Sequence, residues 1–387
     1  MSYKQYESKI IEYRRHLHQH PEVSFKEYKT AQYIRSILGQ LEHCKVIEIT
    51  ETSTVGVFNK GRGYKLGLRA DIDALPIHEE RDDIEFTSNN DGVMHACGHD
   101  GHTALLLGAA HYFNDHVDQL NHEVHCIFQH AEELIPGGAR EMVATGYFDD
   151  FDFIYGHHLW SQLDAGLIDI KNGPASANSD MYEITIQGKG GHSSTPHVTI
   201  DPLMIGTQFV NNIQTIISRQ IDAHNTAVIS NTLFKAGNEG ALNVIPDNVK
   251  LGGTVRTQDK ESRMLIKEQI EKHLDHLCDI YNATYTLDYT LGYDAVINDD
   301  QQTEYVRQIA QKMYPESVVN ELPMLGGEDF SAFSNIVPSC YAFIGFGQDE
   351  GEYRYQHHHP KFGLNEQCFE KAFNMFIGVI EGYPEQK

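Results

Sequence analysis

The stretch Met94-His95-Ala96-Cys97-Gly98-His99-Asp100-Gly101-His102 holds three histidines, a cysteine and an aspartate in nine positions. Cys97 and His99 are two apart, so in an extended or turn conformation their side chains can point to one side. Both ligate metal ions when deprotonated, and together they favour borderline metals such as zinc over magnesium or calcium. The glycines let the backbone bend close to an ion. Thr103-Ala-Leu-Leu-Leu-Gly-Ala-Ala110 then reads as the start of a buried helix, which places the cluster at a loop-to-helix junction. Alone, the stretch also fits a histidine-rich loop around a buried thiol, and the rest of the chain has to decide between the two.

The chain has 387 residues, enough for two or three domains and an ample core. Lys+Arg 30 against Asp+Glu 55 gives a net charge of −25. That balance argues against nucleic acid or an anionic membrane as partner. Histidines number 23 and concentrate at positions 95–102, 157–158, 192–197 and 357–359. The six cysteines are widely spaced without a CxxC, as in a reduced cytosolic protein rather than a disulfide framework. The first residues hold no apolar signal region and no run is long enough to span a bilayer, so a cytoplasmic location is expected.

Residues 5–20 read as a helix ending before Pro21, with Tyr6, Ile10, Tyr13 and Leu17 on one face. A second helix is expected from about Ser24 to Leu38, with Ser24 and Glu27 at capping-box spacing. Strands are predicted at 46–51, 55–58 and 65–71. In the last of these, Arg69 and Asp71, with Asp73 just beyond, arrive where the apolar run stops, the place where α/β sheets bind ligands. A strand at 123–128 leads into Glu132-Glu133. One of these adjacent carboxylates can hold an ion while the other faces the reaction space. Phe153 to His158 reads as a strand ending in ligands. From 180 the pattern becomes strand 181–187, helix 201–218, strands 226–235 and 249–256, helix 259–280 and strand 284–289. This β-α-β-β-α-β order is the ferredoxin-like unit. Helix 303–313, strand 341–345, a polar loop at 347–352, a histidine cluster and helix 366–380 complete the chain. The fold class is therefore α/β: a catalytic domain with a mixed sheet flanked by helices (1–178 and 293–387), plus an inserted ferredoxin-like domain (179–292).

Cys97, His99, Glu132, Glu133, His158 and His358 are far apart in sequence, yet one sheet could gather them at one edge. They suffice for two metal ions about 3.5–4 Å apart, an arrangement used for hydrolysis. The segments Arg14-Arg-His-Leu-His-Gln-His-Pro-Glu22, Leu68-Arg-Ala-Asp-Ile-Asp-Ala-Leu-Pro76, Met94 to His102, Ala131-Glu-Glu133, Gly188-Lys-Gly-Gly-His192, Asn243-Val-Ile-Pro246, Gly253-Thr-Val-Arg-Thr257 and Gly326-Gly-Glu-Asp-Phe330 carry a resemblance that runs in order along the chain. The sequence resembles the aminoacylase, hippurate hydrolase and auxin-conjugate amidohydrolase family of dinuclear metallopeptidases.

The resemblance implies metal-dependent hydrolysis of N-acyl amino acids, with two divalent ions per subunit, zinc or manganese, nickel and cobalt being alternatives. It implies Cys97, His99, Glu133, His158 and His358 as ligands, His157 and the other histidines of 357–359 remaining open as alternatives. Glu132 takes the role of general base. Asp71 would orient a ligand, His192 would stabilise the oxyanion, and Asn243 and Arg256 would hold the substrate carboxylate. Related sequences usually have proline where this one has His130. Residues 179–292 would be a lid and dimerisation domain of a homodimer, with His192 reaching the other subunit's site. A dipeptidase or carboxypeptidase on the same scaffold is the nearest alternative, and a non-catalytic metal binder the more distant one. Trp160, after the histidine pair, would either wall the pocket or pack in the core.

Overall fold

The computed structural model describes residues 3–320, 324–347, 351 and 353–385. It divides into two compact units, one of residues 1–175, 296–323 and 329–387, the other of 176–295 and 324–328.

The first unit is built on an eight-stranded mixed sheet. Its order is Lys45–Glu48, Thr54–Phe58, Glu123–Gln129, Lys65–Asp71, Phe153–Asp164, Ser339–Gly347, Ile168–Asp169 and Val318–Val319. The four strands from Glu123–Gln129 to Ser339–Gly347 are parallel and run as near-continuous buried segments. That pattern belongs to a sheet covered on both faces. Asp71 lies opposite Gln129 and Arg69 opposite Gly156, which brings three functional segments level at the carboxyl ends. Crevices of α/β sheets lie at such ends.

The helix His99–Asp115 is buried along nearly all its length. Gly108 permits this, because a Cβ there would stand 2.4 Å from Ile10 Cγ1 of the helix Tyr3–Gln19. The helix begins at His99, four residues before Thr103. Gly98, at φ +95°, turns the chain into it, a conformation costly for any residue with a Cβ. His99 therefore sits on a rigid first turn rather than in a loop.

Two other expectations are corrected. The second helix runs Tyr28–Leu38, not from Ser24, and no capping box forms. Ser24 Oγ donates instead to Asp73 Oδ2 at 2.7 Å, and Glu27 Oε1 accepts from Phe25 N and Ala131 N. Long-range partners have taken both side chains. The strand from Phe153 does not end at His158 but continues to Asp164, paired alongside Ser339–Gly347. Apart from Gly347 and Gly351, the polar loop at 347–352 lies outside the described residues.

The second unit is a four-stranded antiparallel sheet, ordered Ala227–Ala236, Asn248–Thr257, Asn178–Gln187 and Thr284–Tyr293. Helices Pro202–Arg219 and Lys260–Tyr281 complete its βαββαβ order and its core. Asp201 and Asp259 cap them, accepting from Leu203 N and Ser262 N. Arg263 is buried and grips Asp180 through Nε and Nη2, with Asp294 on Nη1. The edge strand Ala227–Ala236 leaves Leu233 and Phe234 exposed.

Candidate metal centre

The histidine tautomers at the centre follow from their acceptors. His99 Nδ1 lies 2.9 Å from the Asp73 carbonyl oxygen and 3.1 Å from Asp73 Oδ1, neither of which can donate. Nδ1 must therefore carry a proton, so Nε2 is the nitrogen left to face an ion. His99 Nε2 is buried without a hydrogen-bond partner. His158 repeats the pattern, with Nδ1 donating to the Leu159 carbonyl at 2.7 Å and Nε2 3.5 Å from Cys97 Sγ. A ring nitrogen fixed on one side so that the other faces the cluster is the usual preparation of a metal-bound histidine.

Glu133 joins them from the turn after the strand Glu123–Gln129. Its Oε1 makes no hydrogen bond and stands 3.2 Å from His358 Nε2 and 3.9 Å from His99 Nε2. Its backbone N–H donates to Asp73 Oδ2 at 3.0 Å. His358 is at φ +66° and donates its backbone N–H to the Ala96 carbonyl, which ties the loop beside Cys97. Three donor groups interlock, with ligand atoms within 4.8 Å of one another in each: Cys97, His99 and His158; Cys97, Glu133 and His358; His99, Glu132 and Glu133.

Neighbouring histidines have other tasks. His157 points to the opposite face of its strand and packs 4.1 Å from Phe376. His357 stacks on Trp160 at 4.5 Å, and its Nε2 accepts from Ser161 N. His359 Nδ1 accepts from Lys361 N while its ring stacks on Tyr355. His102 also lies close, but both its nitrogens are used: Nε2 accepts from Leu159 N, so Nδ1 donates to Asp71 Oδ1 at 2.6 Å. Trp160 is half-buried beside His158, against His357 and Phe343.

Asp71 is fully buried, bound to Arg69 Nη1 at 2.7 Å and to His102, with Oδ1 3.8 Å from His99 Nε2. Asp73, not singled out as a site residue by the sequence, orients His99. The sequence places it among the charges at the end of strand 65–71 without giving it a role, because its contact depends on tertiary folding. Arg69 also holds Gln129 and Asp329, so the sheet end carries a closed polar network. All these residues belong to the first unit. His192, Asn243 and Arg256 belong to the second. His192 and Asn243 are exposed on the paired segments Gly191–His192 and Val244–Ile245 and the turn beside them. Arg256 is half-buried, donating to the carbonyls of Asp180 and Val255.

The charge of the site calls for cations. Burial alone would depress His99, but Asp71, Asp73 and Glu133 outweigh it and raise it to about 10. Burial, and then Glu133 and Glu132, push the Cys97 thiol well up. Carboxylates gathered around protonated His99 and a thiol fit divalent ions that would replace those protons.

The model of peptidase family M20/M25/M40 matches residues 67–382. The chain belongs to that family. It is 46% identical over 293 residues, 76% of this chain and 78% of the relative, to an N-acyl-L-amino acid amidohydrolase of Geobacillus stearothermophilus. It is 38% identical over 371 residues, 94% of this chain and 92% of the relative, to thermostable carboxypeptidase 2 of Saccharolobus solfataricus. A Bacillus subtilis structure described as a dinuclear metal-binding M20 peptidase superposes with a TM-score of 0.82 at 32% identity, covering 98% of each chain. This M20 member is thus a hydrolytic enzyme of amide bonds that uses divalent metal ions, on the expected α/β scaffold.

The geometry distinguishes the paired histidines experimentally. His158→Ala should remove most bound metal, measured by elemental analysis after reconstitution. His157→Leu should retain it, because that ring contributes packing. Metal loss in His157→Leu with retention in His158→Ala would reverse the assignment.

Proposed function

We propose that this M20 enzyme deacylates N-acyl amino acids, with Cys97, His99, Glu133, His158 and His358 holding two divalent ions and Glu132 acting as general base. The observation that carries this is the placement of Glu132. It is buried and shares a donor cluster with His99 and with the adjacent carboxylate Glu133, which this reading assigns as the ligand of the pair. Bound cations would lower the pKa of water toward neutrality and polarise the scissile carbonyl. Glu132 takes the proton of the attacking water on its carboxylate and returns it to the leaving amine. Asp71, held by Arg69 and His102, keeps negative charge fixed beside His99. His192 would donate to the developing oxyanion, and Arg256 with Asn243 would bind the substrate carboxylate, Arg256 through its planar fork.

The thiolate ligand favours zinc, with manganese, nickel and cobalt as alternatives in reconstitution. The name of the Geobacillus relative supports an N-acyl amino acid. The name of the Saccharolobus relative supports a second reading, a carboxypeptidase, which differs only in the group on the acyl side. A panel of N-acetyl, N-benzoyl and dipeptide substrates separates the two. A cytoplasmic location is supported by six free cysteines. No described helix is long and apolar enough to cross a membrane. A homodimer through the smaller unit is supported by its edge strand with exposed Leu233 and Phe234, since such an edge invites pairing.

Glu132→Gln should bind metal as the parent does and lose about 10²–10⁴-fold in kcat, because the near-isosteric amide cannot accept the proton. Steady-state kinetics with metal analysis check this, and parental kcat would remove Glu132 from the mechanism. If His192 acts across a dimer, its loss should cost about 10²–10³-fold. Exchanging subunits between Glu132→Gln and His192→Ala proteins should then restore activity, since each mixed dimer holds one intact site. Persistent inactivity after demonstrated exchange would place His192 in its own subunit's site or outside the chemistry.

A further inference from the structure

The carboxylate turn Ala131-Glu132-Glu133 is not self-supporting. Ala131 is held at φ +50°, a left-handed conformation that a residue with a Cβ rarely adopts. Such a conformation persists only where the surroundings over-determine it. Gly138 N–H donates to the Ala131 carbonyl at 2.9 Å, and the remaining hold comes from residues 22–27, far away in sequence. Glu27, wholly buried, accepts the Ala131 N–H on Oε1 at 2.8 Å. The same oxygen accepts the Phe25 N–H at 3.0 Å, and Phe25 is itself left-handed at φ +64°. Ser24 Oγ donates to Asp73 Oδ2, which also accepts the Glu133 N–H. Glu22 fastens the other end, its carbonyl accepting the Ala74 N–H at 2.8 Å.

We propose that Glu27 is a positioning residue, which fixes the aim of the Glu132 carboxylate by holding the Ala131 N–H. This rests on the reading of Glu132 as general base. Two strained residues share one acceptor atom, and that atom belongs to the segment with no other catalytic part. Without it, the Ala131 N–H is a buried donor with no acceptor, and the turn relaxes toward right-handed backbone. The change carries Glu132 away from its productive placement, and small misplacements of a reacting group cost large factors in rate. Oε2 of Glu27 is buried without a hydrogen-bond partner. Burial first, and the Asp73 carboxylate second, push the group up to about 7. A neutral amide therefore reproduces what the site uses, one oxygen accepting two N–H groups.

The test uses metal-loaded full-length protein and the best substrate of the N-acyl panel. Glu27→Ala should lower kcat about 10–100-fold while KM stays within about threefold and the bound metal is unchanged, and Glu27→Gln should return kcat to within about threefold of the parent. Placed in the Glu132→Gln background, Glu27→Ala should have no further effect on kcat, because a residue acting through Glu132 has nothing left to position. Parental kcat in Glu27→Ala, equal losses in Glu27→Ala and Glu27→Gln, loss of metal, or a full additional loss on top of Glu132→Gln would each overturn the proposal. If Glu27→Ala does not fold, Glu27→Asp, whose shorter side chain withdraws the acceptor, carries the same expectations. A Glu132→Gln protein of parental activity would sink the general-base reading itself, independently of any Glu27 variant.

Discussion

Two hydrogen bonds to carbonyl oxygens govern the centre: His99 Nδ1 to Asp73 O and His158 Nδ1 to Leu159 O. A carbonyl can only accept, so each bond decides which ring nitrogen faces the cluster. The architecture behind them serves this decision. Parallel pairing sets Lys65–Asp71 beside Glu123–Gln129 and Phe153–Asp164. The close packing at Gly108 seats the helix that carries His99 in its first turn. Asp73 then receives His99, Glu133 N–H and Ser24 together, so one carboxylate ties three segments.

The second constraint is charge. Buried carboxylates are costly unless paired. Asp71 and Asp329 meet that need through Arg69, which is itself buried. Asp100, next to His99, meets it through Arg14 and His18, which explains why the Arg14-to-Glu22 segment belongs with the ligand loop. Burial by itself would depress His18, but hydrogen bonds to Asp100 and Glu79 outweigh it and raise it. Glu132, Glu133 and the Cys97 thiol cluster instead with His99, His158 and His358. Divalent ions complete the balance, and the same ions bring the chemistry of amide hydrolysis.

Much of this was legible in the sequence, where the signal was local. Apolar runs ending in charge marked the strand Lys65–Asp71, and alternation marked Asn178–Gln187 in the smaller unit. Cys97, His99 and the Glu132-Glu133 pair stood out by residue type and spacing. What was not legible depended on partners distant in sequence. Ser24 and Glu27 have the spacing of a cap, but Asp73 and Ala131 claim them. The choice between His157 and His158 turns on which face of an uninterrupted strand meets the cluster, and the strand was expected to stop there. His358 is separated from its neighbours by its left-handed backbone and by the bonds that occupy His357 and His359, none of which periodicity can reveal.

The central claim is that the Nε2 atoms of His99, His158 and His358 and the Cys97 thiolate gather a pair of ions. Anomalous X-ray diffraction from crystals of the reconstituted enzyme tests it most directly. The account predicts two anomalous peaks about 3.5–4 Å apart. Nε2 of His99, His158 and His358, Sγ of Cys97 and the Glu133 carboxylate should lie within bonding distance of them. A single peak, or peaks bound by His102, His157 or His357 in place of these residues, would contradict it.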